Sequence, residues 1–292
     1  MLKENNKEIP IIEYVKKNSL YIFRYKPHRK PKAISGHRFV DLLVNNPYSS
    51  KLKTLMGFYD LTPEIDKTNK DEAKYIIAGE VLEEEVIKLF SNDYVKYEFS
   101  KDNKGDMFNY NHKFMNDDVN FNGLIDGELL DLDCLVEVKN YSNPQKVEFG
   151  CPQEWFLQAR LYLYLWNITA EKYGRKKYDK IIVLAHHMDR ATIDYVWKFK
   201  ASPKLDKDNV LVYEFYDVED NFEELVDYSL IKRLEVLATN EEGYIEVKEE
   251  YTGKDKEELE NLITQCESQG KCVFKKLGKF PTYDEEGKEY PF

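Results

Sequence analysis

The sequence lacks any run of about 18 uncharged apolar residues, the length that a membrane-spanning helix requires. Its first residues, "MLKENNKEIPIIEYVKKN", carry charges where a secretory signal peptide needs an unbroken apolar segment. Internal repeats and low-complexity linkers are also missing from the sequence. These absences exclude membrane-spanning and repeat architectures, and they lead us to expect a globular protein of the cytoplasm.

Cysteine is scarce, and the spacing of the cysteines does not indicate a metal-binding site. The four residues Cys134, Cys151, Cys266 and Cys272 include no CxxC pair. Reduced thiols are the expectation for a cytoplasmic chain, and no metal cluster is expected. An excess of positive charge is absent too, since the formal net charge is −11. This charge argues against indiscriminate nucleic-acid binding by the whole surface, although a local basic track remains compatible with it.

What is present is an ordinary globular composition, with 42% hydrophobic and 33% charged residues in 292 positions. That length allows one large domain or two smaller ones. The hydrophobic periodicity predicts helices at 71–91 and 153–169, a short helix after "AISG", and strands near 94–99, 119–126, 134–141, 178–187 and 191–199. The order of these elements predicts an α/β fold, a mixed central sheet flanked by helices. Beyond residue 205 an acid-rich segment predicts helices at 219–238 and 254–268 around a strand at 243–250.

The stretch "FNGLIDGELLDLDCLVEVKN" reads as a buried hairpin that nevertheless contains three charged side chains, Asp126, Glu137 and Lys139. Side chains alternate between the two faces of a strand, so Glu137 and Lys139 point the same way, and the hairpin can bring Asp126 beside them. Burying two close carboxylates is costly unless a cation accompanies them. Mg²⁺ prefers such oxygen ligands and polarises phosphoryl groups, so the pattern predicts metal-assisted phosphodiester hydrolysis supported by the Lys139 ammonium.

Two helices add further candidates. In "DEAKYIIAGEVLEEEVIKLFS", Glu83 lies on the apolar face of the helix and is a candidate metal ligand, with Glu80 at the edge of that face. Gly79, one turn earlier, is expected to permit close approach of another backbone. On the second helix, Gln158 and Tyr162 are four residues apart and share a face, an arrangement suited to phosphate or base contacts.

A basic segment interleaved with aromatics, "YIFRYKPHRKPK", precedes these motifs. Arg29 and Lys30 within it are candidate contacts to a phosphate backbone, and the alternative is a solvated edge strand. His186 and His187 follow an apolar strand and are interpreted as structural or substrate-facing, not metal ligands.

Taken together, these motifs resemble the PD-(D/E)XK nuclease superfamily. "GLIDG" followed by "VEVK" resembles its signature, "GEVLEEE" resembles the G-x-x-x-E helix, and "QARLY" resembles the Q-x-x-x-Y motif of the RecB-like branch. "AISGHRFVDLLVNNPYSS" is similar to the opening of phage lambda exonuclease and YqaJ-like nucleases. The resemblance covers about residues 30–200 in the family's order. A second "EVK", Glu246–Lys248, lacks the upstream G-x-I-D and is interpreted as a solvated strand.

The resemblance implies a restriction-endonuclease-like core that cleaves DNA with Mg²⁺ or Mn²⁺. Glu83, Asp126, Glu137 and the carbonyl of Val138 would hold the metal, and Lys139 would be the catalytic lysine. Gln158 and Tyr162 would be the supporting pair and would contact the substrate. Ser35 and, from the basic segment, Arg29 and Lys30 are further expected substrate contacts. The Q-x-Q of lambda-type enzymes is incomplete here, and the position of Cys134 between the acids does not fit the family's iron–sulfur pattern.

The resulting hypothesis is an exonuclease that acts on DNA ends in recombination or repair. It divides the chain into a nuclease core, residues 1–204, and a C-terminal α+β extension, residues 205–292, packed on it. DNA is the expected partner, and a single-strand annealing or other recombination protein and a second copy of the chain are compatible ones. A structure- or site-specific endonuclease is the alternative enzyme, and a nuclease-like module that binds nucleic acid or protein without cutting is the alternative of another class.

Overall fold

A computed structural model describes residues 12–17, 20–27, 30–44, 51–59, 70–97, 108–217, 221–250, 282–283 and 289–290. The predicted helix at 254–268 and the candidate Arg29 lie outside these residues. The chain divides into two compact units, a larger one from 33–40 and 64–226 and a smaller one from 1–32, 41–63 and 227–292. None of the helices described combines the length and apolar character needed to cross a membrane.

The strands are β1 (Ile12–Lys17), β2 (Leu20–Tyr25), β3 (Tyr94–Lys96), β4 (Phe108–Phe114), β5 (Asp117–Gly123), β6 (Gly127–Leu129), β7 (Cys134–Tyr141), β8 (Lys180–His187), β9 (Val210–Tyr216), β10 (Ile245–Glu250), β11 (Thr282–Tyr283) and β12 (Glu289–Tyr290). The helices are α1 (Gly36–Leu43), α2 (Lys51–Tyr59), α3 (Lys70–Lys88), α4 (Gln153–Tyr173), α5 (Arg190–Phe199) and α6 (Phe222–Val236). Single turns of 3₁₀ helix cover Pro144–Val147 and Lys207–Asn209.

The larger unit is built on a five-stranded sheet in the order β3-β6-β7-β8-β9. The central pair β7 and β8 is parallel and every other pair is antiparallel, so the sheet is mixed. Parallel neighbours need a crossover connection, and α4 supplies it between β7 and β8. The predicted α/β class, a mixed central sheet flanked by helices, is confirmed.

Helices α3 and α4 cover opposite faces of this sheet because the residues of β7 alternate between them. On the α3 side the buried cluster comprises Val86, Ile87, Leu129, Cys134, Val136, Val138, Ile182, Leu184 and Val210. Helix α5 packs in turn on α3 through Ala78, Leu82, Met188, Ile193 and Val196. The face that carries Glu137 and Lys139 turns instead toward α4, since both side chains contact Gln158 of that helix.

The predicted strand at 191–199 is wrong, because these residues form the helix α5. Ile193, Tyr195 and Trp197 alternate with other residues as the side chains of a strand would. Asp189 favours the helix, because its side chain accepts a hydrogen bond from the Thr192 backbone N–H at 2.7 Å and caps the first turn. An aspartate three residues before Thr192 is a readable start signal for a helix.

The predicted hairpin is also divided differently. Strand β5 pairs with β4 in a separate two-stranded sheet, and the short strand β6 pairs with β7. Asp126 lies in a bend between β5 and β6 and not within a strand. Gly127 is required here because any Cβ at this position would collide with the backbone carbonyl of Val95 on the neighbouring strand β3. Because Gly127 fits against β3, strand β6 can begin at the residue that directly follows Asp126.

The smaller unit contains a three-stranded antiparallel sheet in the order β1-β2-β10, so β2 is a central strand and not a solvated edge. Arg24 on β2 pairs with Glu246 on β10 at 2.8 Å. The predicted division of the chain at residue 204 therefore differs from the division of these units. Strand β9 belongs to the five-stranded sheet of the larger unit, and β10 pairs with the N-terminal strand β2.

Candidate active site

The candidate site lies where the hydrogen-bonded pairing of β6 with β7, the β6–β7 ladder, ends. Gly127 pairs with Val136 in that ladder, so one further step in the register sets Asp126 opposite Glu137. No strand residue takes the next rung. Instead the backbone N–H of Val138 donates to Oδ2 of Asp126 at 2.6 Å. The carboxylate of Asp126 is therefore fixed against the backbone of β7.

Glu137 and Lys139 are two residues apart on β7 and contact each other directly. The Nζ of Lys139 donates to Oε1 of Glu137 at 2.7 Å and to Oε1 of Gln158 at 3.0 Å. Because an ammonium group only donates, the carbonyl oxygen of the Gln158 amide must face Lys139. The amide nitrogen of Gln158 then donates to Oε1 of Glu137 at 3.1 Å and to the hydroxyl of Tyr162 at 3.0 Å.

Gln158 is thus a buried connector and not an exposed contact for substrate. Its carbonyl oxygen and both amide hydrogens have partners within the protein, and the side chain is buried. The expected pairing of Gln158 with Tyr162 is present in the geometry. What it does is hold the Lys139 ammonium and the Glu137 carboxylate in place from the α4 side of the sheet.

Two glycines make room for Tyr162. A Cβ at Gly36 would lie 2.6 Å from the Tyr162 hydroxyl, and a Cβ at Gly123 would lie 2.9 Å from its ring and would also collide with Phe108. The segment before α1 reaches this place because Ile34 joins β5 through a backbone bond to Asn120 at 2.8 Å. The glycines of "AISG" and "NGLID" therefore have the same packing role.

One carboxylate oxygen of this cluster is left over. The Oε2 of Glu137 is buried and has no hydrogen-bond partner, whereas its Oε1 accepts two hydrogen bonds. Such an unpartnered buried oxygen is costly, and it is a natural ligand for a hard cation. The carbonyl of Val138 points to the same side of β7 as its N–H, toward Asp126.

The charges of the cluster act strongly on each other. Burial, together with the nearby carboxylates of Glu137 and Glu83, raises the pKa of Asp126 well above its usual value. Burial lowers the pKa of Lys139, but the attraction of Glu137 and Asp126 outweighs burial and raises it. Burial also raises the pKa of Tyr162, so its hydroxyl stays protonated. The site therefore holds a fixed ammonium among carboxylates that repel one another.

Glu83 lies on α3, and its charge acts on Asp126 and Lys139. Its carboxylate lies 3.9 Å from the Nζ of Lys96 on β3. Among the residues that the structure describes, no three His, Cys, Asp or Glu side chains are arranged to hold a metal ion. The predicted ligand set of Glu83, Asp126 and Glu137 is thus not preassembled among the described residues, although the charge of Glu83 still acts on Asp126 and Lys139. Glu80, the weaker candidate, is exposed.

Gly79 does not have the expected packing role. A Cβ at this position would meet nothing within 4 Å, so close approach of another backbone is not the reason for the glycine. Its carbonyl oxygen, however, accepts a hydrogen bond from the amide of Asn140 at 3.1 Å. Asn140 in turn contacts His186 at 3.0 Å. Sequence reasoning overlooked Asn140, whose signal is a polar residue on the apolar α3 face of β7.

The remaining predicted residues are placed as follows. Ser35 directly precedes α1, and Arg38 contacts its hydroxyl at 3.4 Å. Lys30 is exposed and belongs to the smaller unit. His186 is buried, and burial lowers its pKa, whereas the ring of His187 packs against Tyr141. Both histidines thus have structural surroundings.

The two cysteines described, Cys134 and Cys151, are free thiols. Burial raises the pKa of each to about 11, so both are weak nucleophiles at neutral pH. Cys266 and Cys272 lie outside the described residues.

Comparison with known proteins gives distant likenesses of fold. No family model matches the chain, and no curated protein matches it. Among solved structures, an alkaline exonuclease (LHK-Exo) from Laribacter hongkongensis aligns with a TM-score of 0.40 and 12% identity over 80% of this chain and 95% of that one. The same exonuclease in complex with dAMP aligns equally. A phage-related exonuclease from Haemophilus somnus aligns with a TM-score of 0.33 and 14% identity over 70% of this chain and 92% of that one.

Proposed function

We propose that this protein is a metal-dependent nuclease that hydrolyses phosphodiester bonds of DNA, acting as an exonuclease on DNA ends in recombination or repair. The observation that carries the proposal is the convergence of Asp126, Glu137 and Lys139 at the end of the β6–β7 ladder. A buried ion pair with only a structural role would satisfy its oxygens, yet Oε2 of Glu137 has no partner.

The residues present fit a divalent cation such as Mg²⁺, for which Mn²⁺ would substitute. The unpartnered Oε2 of Glu137, the Asp126 carboxylate and the Val138 carbonyl would hold it, and Glu83 would complete the set from α3. Burial and, after it, repulsion by the nearby carboxylates raise the pKa of Asp126, and this repulsion favours uptake of a positive charge at this place. When bound, such a cation supplies Lewis-acid polarisation of a phosphoryl group.

Lys139 has the role of electrostatic support in this proposal. Its ammonium remains protonated because Glu137 and Asp126 raise its pKa, so it can donate to oxygens on which negative charge develops. Gln158 helps to hold the ammonium in place, since its carbonyl oxygen accepts a second hydrogen bond from Lys139 at 3.0 Å. Ser35, Arg29 and Lys30 are proposed contacts to the DNA backbone, and Tyr162 supports the site through Gln158.

The experiment is a time course with end-labelled linear DNA and closed circular DNA, with and without Mg²⁺. We expect Mg²⁺-dependent loss of the linear substrate with release of mononucleotides from one end, which also gives the polarity. Asp126→Asn and Lys139→Ala should each abolish cleavage while the protein remains folded.

Each outcome of this assay decides between the hypotheses. Cleavage of closed circles would favour the endonuclease on the same core. Binding of DNA without cleavage of either substrate would favour a non-cutting module. Cleavage that persists in both variants would show that the site is elsewhere.

A further inference from the structure

A second polar pair, the half-buried Asn140 and the buried His186, lies on the α3 face of the sheet, beside the cluster described above. Asn140 and His186 are direct partners in the register of β7 and β8. The Nδ1 of His186 lies 3.0 Å from the Oδ1 of Asn140, and His186 is only 2% exposed. Polar side chains at such positions need an explanation, because apolar residues would pack there at lower cost.

The orientation of the Asn140 amide follows from its other contact. Its Nδ2 donates to the backbone carbonyl of Gly79 at 3.1 Å, and a carbonyl can only accept. The Oδ1 must therefore face His186, whose Nδ1 must carry the proton. His186 thus fixes Asn140 in the one orientation that reaches α3.

The carbonyl that Asn140 contacts lies one helical turn before Glu83. In an α-helix this same carbonyl also accepts the backbone N–H of Glu83, so the amide bonds to the very turn that carries the carboxylate. The apolar contacts of α3 are not directional, and close packing at Gly79 is absent because a Cβ there would meet nothing. The Asn140 bond is directional and so adds a specific constraint on the position of α3 along β7 at this level.

We infer that Asn140, oriented by His186, is a positioning residue that sets Glu83 relative to Asp126 and Glu137. This inference rests on the proposed function, since it gives Glu83 the role of a ligand for a divalent cation. Asn140 directly follows Lys139, so one short segment of β7 places the catalytic ammonium on one face and positions the helix on the other.

The test uses the full chain and Mn²⁺ binding measured by calorimetry, with Mn²⁺-dependent DNA cleavage as a second measurement. Asn140→Asp keeps the shape and an oxygen toward His186 but replaces the donor to Gly79 with an acceptor. We expect the Kd for Mn²⁺ to rise about 10-fold in this variant and in Asn140→Ala. The Mn²⁺ concentration for half-maximal cleavage should rise by a similar factor.

Two further measurements separate positioning from general stability. In ¹⁵N-histidine NMR spectra, His186 should show the Nδ1–H tautomer in the wild type and the Nε2–H tautomer in Asn140→Ala. His186→Asn retains a donor near the place of Nδ1 and should keep wild-type Mn²⁺ affinity. His186→Leu lacks that donor, so its Kd for Mn²⁺ should rise by about the same factor as in Asn140→Asp. Asn111→Ala, which breaks an exposed Asn–Asn contact on β4, is the matched control and should bind Mn²⁺ normally.

The outcomes are distinct. Wild-type Mn²⁺ affinity in both Asn140→Asp and His186→Leu would overturn the inference and leave the proposed nuclease intact. Absence of Mn²⁺ binding and of cleavage in the wild-type protein would instead overturn the proposed function, and the positioning role with it. If Asn140→Ala fails to fold, Asn140→Asp and the histidine pair of variants decide the question.

Discussion

The carboxylate of Asp126 accepts a hydrogen bond from the backbone N–H of Val138 at 2.6 Å. A side chain thus takes the rung that a neighbouring strand would otherwise fill. The two residues belong to the two halves of the sequence motif, separated by the β6–β7 turn, and their contact sets Asp126 and Glu137 side by side at the end of the ladder.

Asp126→Asn should stabilise the metal-free protein. The pKa of Asp126 is raised in the folded state, so its contribution to stability is fully present below the unfolded pKa of about 4 and is lost as the pH rises through the folded value. An asparagine retains an oxygen for the Val138 N–H without the charge. We expect a gain of about 1 kcal/mol in the free energy of unfolding at neutral pH.

The measurement is denaturant unfolding in chelator between pH 4 and 8, a range chosen to span the titration of a carboxylate with a raised pKa. The wild type should lose stability with rising pH more steeply than the variant. A melting temperature several degrees lower in Asp126→Asn would contradict this prediction and would favour a structural ion pair.

Gln158→Leu should damage both stability and activity. Loss of the amide leaves Lys139, Glu137 and the Tyr162 hydroxyl each short of one buried partner. We expect the free energy of unfolding to fall by about 2 kcal/mol. Cleavage of DNA should fall at least about 10-fold, because the ammonium is no longer held between two acceptors.

Gln153→Leu on the same helix is the matched control, since Gln153 is exposed at the first residue of α4. It should alter neither quantity measurably. Full activity in Gln158→Leu would mean that Lys139 is positioned without the amide.

Glycine-to-alanine changes should have opposite signs at two positions. Gly123→Ala forces a Cβ against Phe108 and Tyr162 and should lower the free energy of unfolding by about 1–3 kcal/mol. Gly79→Ala places its Cβ in open space within α3 and should raise the free energy by about 0.5–1 kcal/mol through helix propensity. Thermal and denaturant unfolding of the two variants tests the pair. Destabilisation by Gly79→Ala would restore the close-packing role first expected for this residue.

The second "EVK" should be dispensable for cleavage. Glu246 pairs with Arg24 within the smaller unit, and Lys248 is exposed. Glu246→Ala and Lys248→Ala should leave the cleavage rate unchanged and alter stability by at most about 1 kcal/mol, because the ion pair is partly exposed to solvent. Loss of nuclease activity in either variant would transfer the candidate site to β10.

Sequence periodicity was sufficient for the features that depend on local geometry. Strand alternation placed Glu137 and Lys139 on one face, and helical spacing paired Gln158 with Tyr162, as the structure has them. Both relations follow from 2.0 and 3.6 residues per repeat and need no knowledge of distant contacts.

Features that depend on long-range pairing were missed or predicted wrongly. Residues 191–199 alternate as a strand would, but the Asp189 cap and the i, i+3 spacing of the buried residues Ile193 and Val196 are typical of a helix. One of the two strands that pair with β2 is β10, more than 200 residues along the chain, and no local pattern encodes that pairing. The role of Gly79 depended on what lies opposite it, which turned out to be an asparagine amide contacting its carbonyl.

The Val138 N–H donates to a carboxylate and not to a neighbouring strand. The hydrogen bonds that hold β6 to β7 therefore do not depend on the state of the Asp126 carboxylate. Asp126 can change its charge or its partner without breaking a single backbone rung between β6 and β7, since their ladder has already ended at Gly127 and Val136. The charge at Asp126 and the backbone hydrogen bonds of the sheet are therefore separate features of this fold.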